Sequence, residues 1–271
     1  MVLYMSNERE RLEDLQRIAK FRLLDDDFMT KCFEKHPKCV ELVLRVIMGD
    51  NSITLKDEYS QTQYLIKNLQ GRDVRFDIHA VDMDRSEYDL EIQRSKCGAG
   101  AHRARYNSSL MDANQIDSGN YGENLSDTYV IFITEYDVLN KGKAIYKIER
   151  YIDGENLFHD GAHIIYVNGS FVDDESAIGR LMHDFRCSNP DNMYYQVLAD
   201  RARFFKKTEE GEQIMCKMME DMRNTAAQKA AINKELANIK ALMETMKMSA
   251  EQAMKALKVP ASEFKKYMAM L

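Results

Sequence analysis

Tryptophan is absent from the 271 residues, and proline occurs only three times. So little proline leaves long helices uninterrupted. The five cysteines (Cys32, Cys39, Cys97, Cys187 and Cys216) are odd in number, scattered, and form no CxxC pair. That spacing excludes a disulfide framework or a zinc ribbon and fits reduced thiols in a cytoplasm. No apolar run reaches the roughly 18 residues a membrane helix needs, so no membrane partner is expected. The first residues, MVLYMSNERERLEDLQ, lack the basic-then-apolar order of a signal peptide. An excess of positive charge is missing too: 38 Lys and Arg stand against 44 Asp and Glu, a net charge of −6. Taken whole, that balance opposes a nonspecific nucleic-acid binder. The charge is sorted, however. Residues 1–199 carry 24 cations and 34 carboxylates, while 200–271 carry 14 and 10.

What is present is a core-sized fraction of hydrophobic residues, 45%, padded with 18 methionines. Residues 7–48 read as helices, with Asp27 as an N-cap, His36-Pro37 opening a further helix, and Gly49 closing it. Between Ser52 and Gln93 the apolar period shortens to two, which predicts strands at 53–59, 74–81 and 87–93. A helix from about His102 to Ala113 precedes strands at 128–134, 144–152 and 163–167. This order is a mixed α/β sandwich, not a barrel or a Rossmann unit. From Met215 to Met246 a 3–4 spacing gathers Met215, Met218, Met222, Ile232, Leu236, Ile239, Met243 and Met246, with Thr225 and Lys229 in the same seam. Two readings stay open, a helix folded back on its own domain and a homodimer formed through residues 215–246. Ser249 caps a short helix at 250–257, and the Val259-Pro260-Ala261 turn leads to another at 262–270. The pair resembles a helix-turn-helix in outline, and a helical hairpin cap is the preferred reading.

The stretch 74–93 carries the chemistry. With the hairpin centred on Asp84, Asp77 lies opposite Glu91 and Arg75 opposite Gln93. One face then holds Phe76, Ile78 and Ala80 against Tyr88, Leu90 and Ile92. The other holds Arg75, Asp77 and His79 against Asp89, Glu91 and Gln93. Opposed carboxylates repel, and a structural face would avoid them; Mg²⁺, which seeks carboxylate oxygens, relieves the repulsion. No Asp or Glu occurs from Ile92 to Met111, whereas Arg94, Lys96, Arg103 and Arg105 do. Metal-binding carboxylates beside cations that hold a phosphate backbone suit phosphodiester cleavage.

Arg75-Phe76-Asp77-Ile78, Tyr88-Asp89-Leu90-Glu91-Ile92-Gln93-Arg94-Ser95 and Arg103-Ala104-Arg105-Tyr106 resemble the PD-(D/E)XK nuclease family transposases. So do Gly119-Asn120-Tyr121, Tyr129–Thr134, His163–Gly169 and Met182-His183-Asp184-Phe185, so the likeness covers roughly residues 20–210. It implies a restriction-endonuclease-like PD-(D/E)XK core over residues 1–208, a mixed sheet flanked by helices, with a helical extension over 209–271. It also implies a bacterial or mobile-element endonuclease acting on DNA with Mg²⁺, for which Mn²⁺ is a substitute. By the same resemblance Asp77 and Glu91 ligate the metal, and Gln93 takes the place of the superfamily's lysine. An uncharged amide orients water but neither titrates nor stabilises as a cation. Glu41 is the candidate for an additional helical acid. Arg94, Lys96, Arg103, Arg105 and Tyr106 are expected to hold DNA phosphates. Gln93 keeps a second reading open, a catalytically degenerate fold that binds DNA or protein.

Overall fold

The computed structural model describes residues 2–66, 74–95, 97–115 and 125–271, with backbone alone at 2–7 and 57–60. Lys96 and Gly119-Asn120-Tyr121 lie outside the described residues. Three helices open the chain: α1 (Val2–Ile18), α2 (Asp26–Phe33) and α3 (Pro37–Met48). Pro37 starts α3, and Gly49 ends it at φ +73°, both as its sequence signals predict. The N-cap of α2 is Asp25 rather than Asp27, and its carboxylate does not cap the helix but turns back to accept from the Arg22 N–H at 2.8 Å.

Six strands form the sheet: β1 (Leu55–Ile66), β2 (Val74–Asp82), β3 (Glu87–Gln93), then, beyond helix α4 (Ala101–Gln115), β4 (Thr128–Thr134), β5 (Ile145–Ile148) and β8 (Ala162–Asn168). Their order is β1-β2-β3-β4-β8-β5. The first three are antiparallel, β3, β4 and β8 run parallel, and β5 returns antiparallel to β8. The predicted strand 144–152 breaks in two. Its end becomes β6 (Tyr151–Ile152), which pairs with β7 (Asn156–Leu157) around Asp153 and Gly154, both at positive φ. β1 is longer than predicted because its second half, Gln61-Thr62-Gln63-Tyr64, is a polar sheet edge in which alternation is weak.

Helix α4 covers one face, where Phe76, Ala104, Met111, Val130, Phe132 and Tyr166 form a buried cluster. On the chain's other helices, α2 and α3 pack with β1, β2, α5 (Ala177–Arg186) and α6 (Gln196–Lys207). α6 also answers the open end of α2: Arg201 donates to the carbonyls of Lys31 (3.2 Å) and Cys32 (3.1 Å). Lys206 donates to the carbonyls of Ala19, Phe21 and Ser188. Of these, the Lys31 and Cys32 carbonyls lie in the last turn of α2, where helix carbonyls have no intrahelical partner. Asp184, fully buried, accepts from the Tyr194 and Tyr195 N–H groups at 2.8 Å each, just before α6.

The chain divides into two compact units, Met1–Glu212 and Gln213–Leu271. Helix α7 (Glu209–Met246) leads into α8 (Ala250–Ala256) and α9 (Phe264–Met268). Within the second unit, Ile232, Leu236, Ile239 and Met243 of the predicted seam pack with α8 and α9, while Met222 and Met246 are exposed. Half of that seam is thus covered by its own unit. The predicted helix 262–270 is a 3-10 turn over Ala261–Glu263 followed by the shorter α9. Among the described residues no helix is long and apolar enough to cross a membrane.

Candidate active site

The register of the β2–β3 hairpin pairs Ile78 with Leu90, His79 with Asp89, Ala80 with Tyr88 and Val81 with Glu87, the alignment the sequence predicts. Just beyond Ile78 the ladder ends. On the other side of β2 the pairing with β1 also skips Asp77, opposite Gln63, which adopts φ +53°. Asp77 therefore sits where its strand is released from both neighbours. Its side chain takes over from the ladder: Oδ2 accepts from the Ile92 N–H at 2.8 Å. The kink also corrects one expectation. Phe76 does not share a face with Leu90 and Ile92; it packs with Val130 and Phe132, the strand neighbours of Asp89 and Glu91.

Glu91 is fully buried beside this kink. Its Oε2 accepts from Arg103 of α4, and its Oε1 has no hydrogen-bond partner among the described residues. Arg103 also donates to the Gly98 carbonyl at 2.9 Å and lies over the Phe132 ring, 5.5 Å from its centre. Asp89, equally buried, accepts from Asn107 Nδ2 at 2.9 Å through one oxygen and has no partner on the other. Burial and then the charge of Asp26 push the Asp77 carboxyl up to about 6, against the pull of the Ile92 N–H and Arg103. Burial and then Asp77 push Glu91 up to about 8. Burial and then Glu91 raise Asp89 well above the carboxylate range. Two buried carboxyls and the half-buried Asp77 thus share one nearby guanidinium, and not all of them hold charge at neutral pH without further positive charge.

Gln93 follows at the end of β3, with its amide against Gly98: a Cβ built on Gly98 would stand 1.8 Å from Gln93 Oε1. The other predicted residues separate. Arg94 is tied into a network, Nη1 to Asp25 at 2.6 Å and Nε to Glu135 at 3.0 Å, with Arg22 also on Glu135 at 3.0 Å. Arg105 and Tyr106 are exposed on α4, two and three residues past Arg103. Glu41 is engaged elsewhere, accepting from the Leu55 N–H at 2.9 Å and pairing with Arg45 at 3.4 Å. His79 stacks on Tyr64, ring centres 4.5 Å apart, and bonds Glu87 at 3.1 Å. The acid whose charge reaches both Asp77 and Glu91 is Asp26, on the first turn of α2. The sequence offers only the neighbouring Asp27, as an N-cap, and no signal for Asp26. Asn107 was missed as well, although it lies one helical turn after Arg103.

The donor set suits a hard divalent cation: only carboxylate oxygens converge, one of them a buried oxygen without a partner. No group of three or more His, Cys, Asp or Glu among the described residues is placed to hold an ion. A cation bound by Asp77 and Glu91 alone leaves most of its coordination to water and phosphate, as Mg²⁺ commonly does.

Comparison with curated proteins and with solved structures gives no significant match. A family model, that of the PD-(D/E)XK nuclease family transposases, matches residues 40–259. It takes in most of α3, the whole sheet, the Asp77–Glu91 kink, and α7 and α8, so it starts later than the motif likeness and continues past it. The mixed sheet flanked by helices and the matched span agree, and the chain belongs to the PD-(D/E)XK nuclease family transposases.

Proposed function

We propose that this protein is a divalent-metal-dependent endonuclease that hydrolyses phosphodiester bonds of DNA, with Mg²⁺ as the metal and Mn²⁺ as a substitute. The observation that carries this reading is the pair Asp77 and Glu91, brought together at a kink where repulsion and burial work against both charges. In this reading the two residues hold the cation, which when bound would supply Lewis acidity to phosphate and lower the pKa of water. Gln93, seated against Gly98, orients the attacking water through its amide and does not act as the base. Arg103 keeps the Glu91 carboxylate in place and brings a positive charge to where the phosphorane develops charge. Arg105 and Tyr106, exposed on the same helix, meet the DNA backbone. Arg94 acts at one remove, joining α2 to the ends of β3 and β4. The enzyme works in a cytoplasm, where its five cysteines, none in a disulfide, stay reduced.

The test is nicking of supercoiled plasmid by the purified chain in Mg²⁺, Mn²⁺ or EDTA. Asp77→Ala and Glu91→Ala should each lower the rate by at least about 100-fold. Nicking that survives both substitutions would sink the site. Absence of cleavage in either metal, with DNA still retarded in a gel, would favour the degenerate binding fold, the reading that Gln93 keeps open.

A further inference from the structure

The second unit holds a feature that the active site does not use. Helix α8 is fixed at its start by a reciprocal cap: the Gln252 N–H donates to Ser249 Oγ at 3.2 Å and the Ser249 N–H to Gln252 Oε1 at 2.9 Å. It ends in a two-bond wrap, in which the Val259 N–H reaches the Met254 carbonyl at 3.0 Å and the Lys258 N–H the Lys255 carbonyl at 3.1 Å. The residue that makes the wrap possible, Lys258, is left-handed at φ +59°. Val259 is then turned inward, and four residues after α8, from Leu257 to Pro260, the chain is helical again. Ala253, Met254, Val259 and Tyr267 are buried together, with Leu257 and Phe264 partly buried beside them. Ile232, Leu236, Ile239 and Met243 of α7 complete this core.

Three helices around one small core, the last two joined by a four-residue turn with a left-handed residue and an inward valine, have the build of a helix-turn-helix. Such a unit presents the outer face of its last helix to the major groove while the preceding helix crosses the backbone. Here Ser262, Lys265 and Lys266 lie on the side of α9 away from the buried Tyr267 and are exposed, as are Lys247 and Lys258. Lys255 is exposed but paired with Glu251 at 2.6 Å. Glu251 and Glu263 are the only acids from Lys247 to the C-terminus, against five lysines, in a chain whose net charge is −6. A second copy would set lysine against lysine across a two-fold contact. Duplex DNA answers the charge instead. We propose that residues 232–271 form a helix-turn-helix that binds duplex DNA and reads base edges through the outer face of α9. The proposal does not depend on Asp77 and Glu91 being catalytic.

The experiment uses the full chain in EDTA, so that binding is scored without cleavage. Affinity for a labelled duplex is followed by anisotropy across a KCl series, and a randomised duplex pool is selected in parallel. The wild-type chain should bind with a steep salt dependence and enrich a sequence. Joint Lys265→Ala and Lys266→Ala substitution, at exposed positions that leave the core intact, should weaken binding by about 10-fold or more. It should also reduce the slope of log affinity against log salt by nearly 2, and end the enrichment. Lys217→Ala, at an exposed α7 cation paired with Glu220 and Asp221, should change none of these. The proposal is overturned if the wild-type chain does not bind, if the double variant keeps affinity and slope, or if only Arg105→Ala abolishes binding. A lysine-dependent doubling of mass with DNA affinity unchanged would assign the face to a second copy and overturn it equally. A chain that binds in this way but never nicks plasmid retains the helix-turn-helix and loses the nuclease reading; nicking with unaltered binding in the double variant does the reverse.

Discussion

At Asp77 a single side chain does what a strand partner does elsewhere, and this sets the position of the carboxylate. Alternation along β2 and β3 was enough to bring Asp77 and Glu91 together on paper, because register follows from the turn and the period of two. Alternation could not show that β2 kinks at Asp77, that Arg103 closes on Glu91, or that Asp26 reaches both from another helix. Those depend on where helices land, which no local pattern encodes. Glu41 shows the opposite error, a well-placed acid on an apolar helix whose oxygens are taken by Leu55 and Arg45. Gly98 makes the most specific demand at this scale. Its φ is not in the left-handed region, so alanine suits the backbone, yet the added methyl would displace the Gln93 amide. Gly98→Ala should therefore fold normally by circular dichroism and lower the plasmid-nicking rate by roughly 10-fold, the range of a lost positioning contact.

Among the elements, those with chemical punctuation were legible: Pro37 and Gly49 around α3, Ser249 before α8, and the hairpin 74–93. Those without it were not. β1 runs on through polar residues because an edge strand needs no buried face, and the 144–152 segment divides because a positive-φ pair, Asp153-Gly154, pulls its end into a separate hairpin. The α8–α9 turn lies between these cases, since its left-handed residue is a lysine where glycine would signal the stop. A left-handed non-glycine residue costs about 1 kcal/mol. Lys258→Gly should relieve it and raise the stability of the second unit by about that amount, visible as a higher denaturant midpoint for the helical signal.

For the whole molecule, the carboxyl cluster makes stability depend on pH in a direction unusual for acids. The folded values of Asp77 and Glu91 lie above their unfolded ones. Such groups leave the fold intact when protonated and weaken it as they ionise, from about pH 4, the ordinary carboxyl value, up to about pH 8. The metal-free first unit should thus melt at a lower temperature at pH 8 than at pH 5. Mg²⁺ should recover the difference at pH 8 and add little at pH 5, and Asp77→Asn should flatten the profile while abolishing cleavage. Thermal unfolding in EDTA and in Mg²⁺ reads all three, and a profile rising from pH 5 to 8 in EDTA would contradict the assignment. The hold of α6 on α2 has a consequence in time. A nascent chain emerges from its N-terminus, so the carbonyls of Lys31 and Cys32 wait for an arginine some 170 residues later. α2, which carries Asp26 to the site, is therefore secured only once residues up to about Lys206 have left the ribosome. Until then the nuclease-like unit is an unfinished substrate for chaperones and proteases.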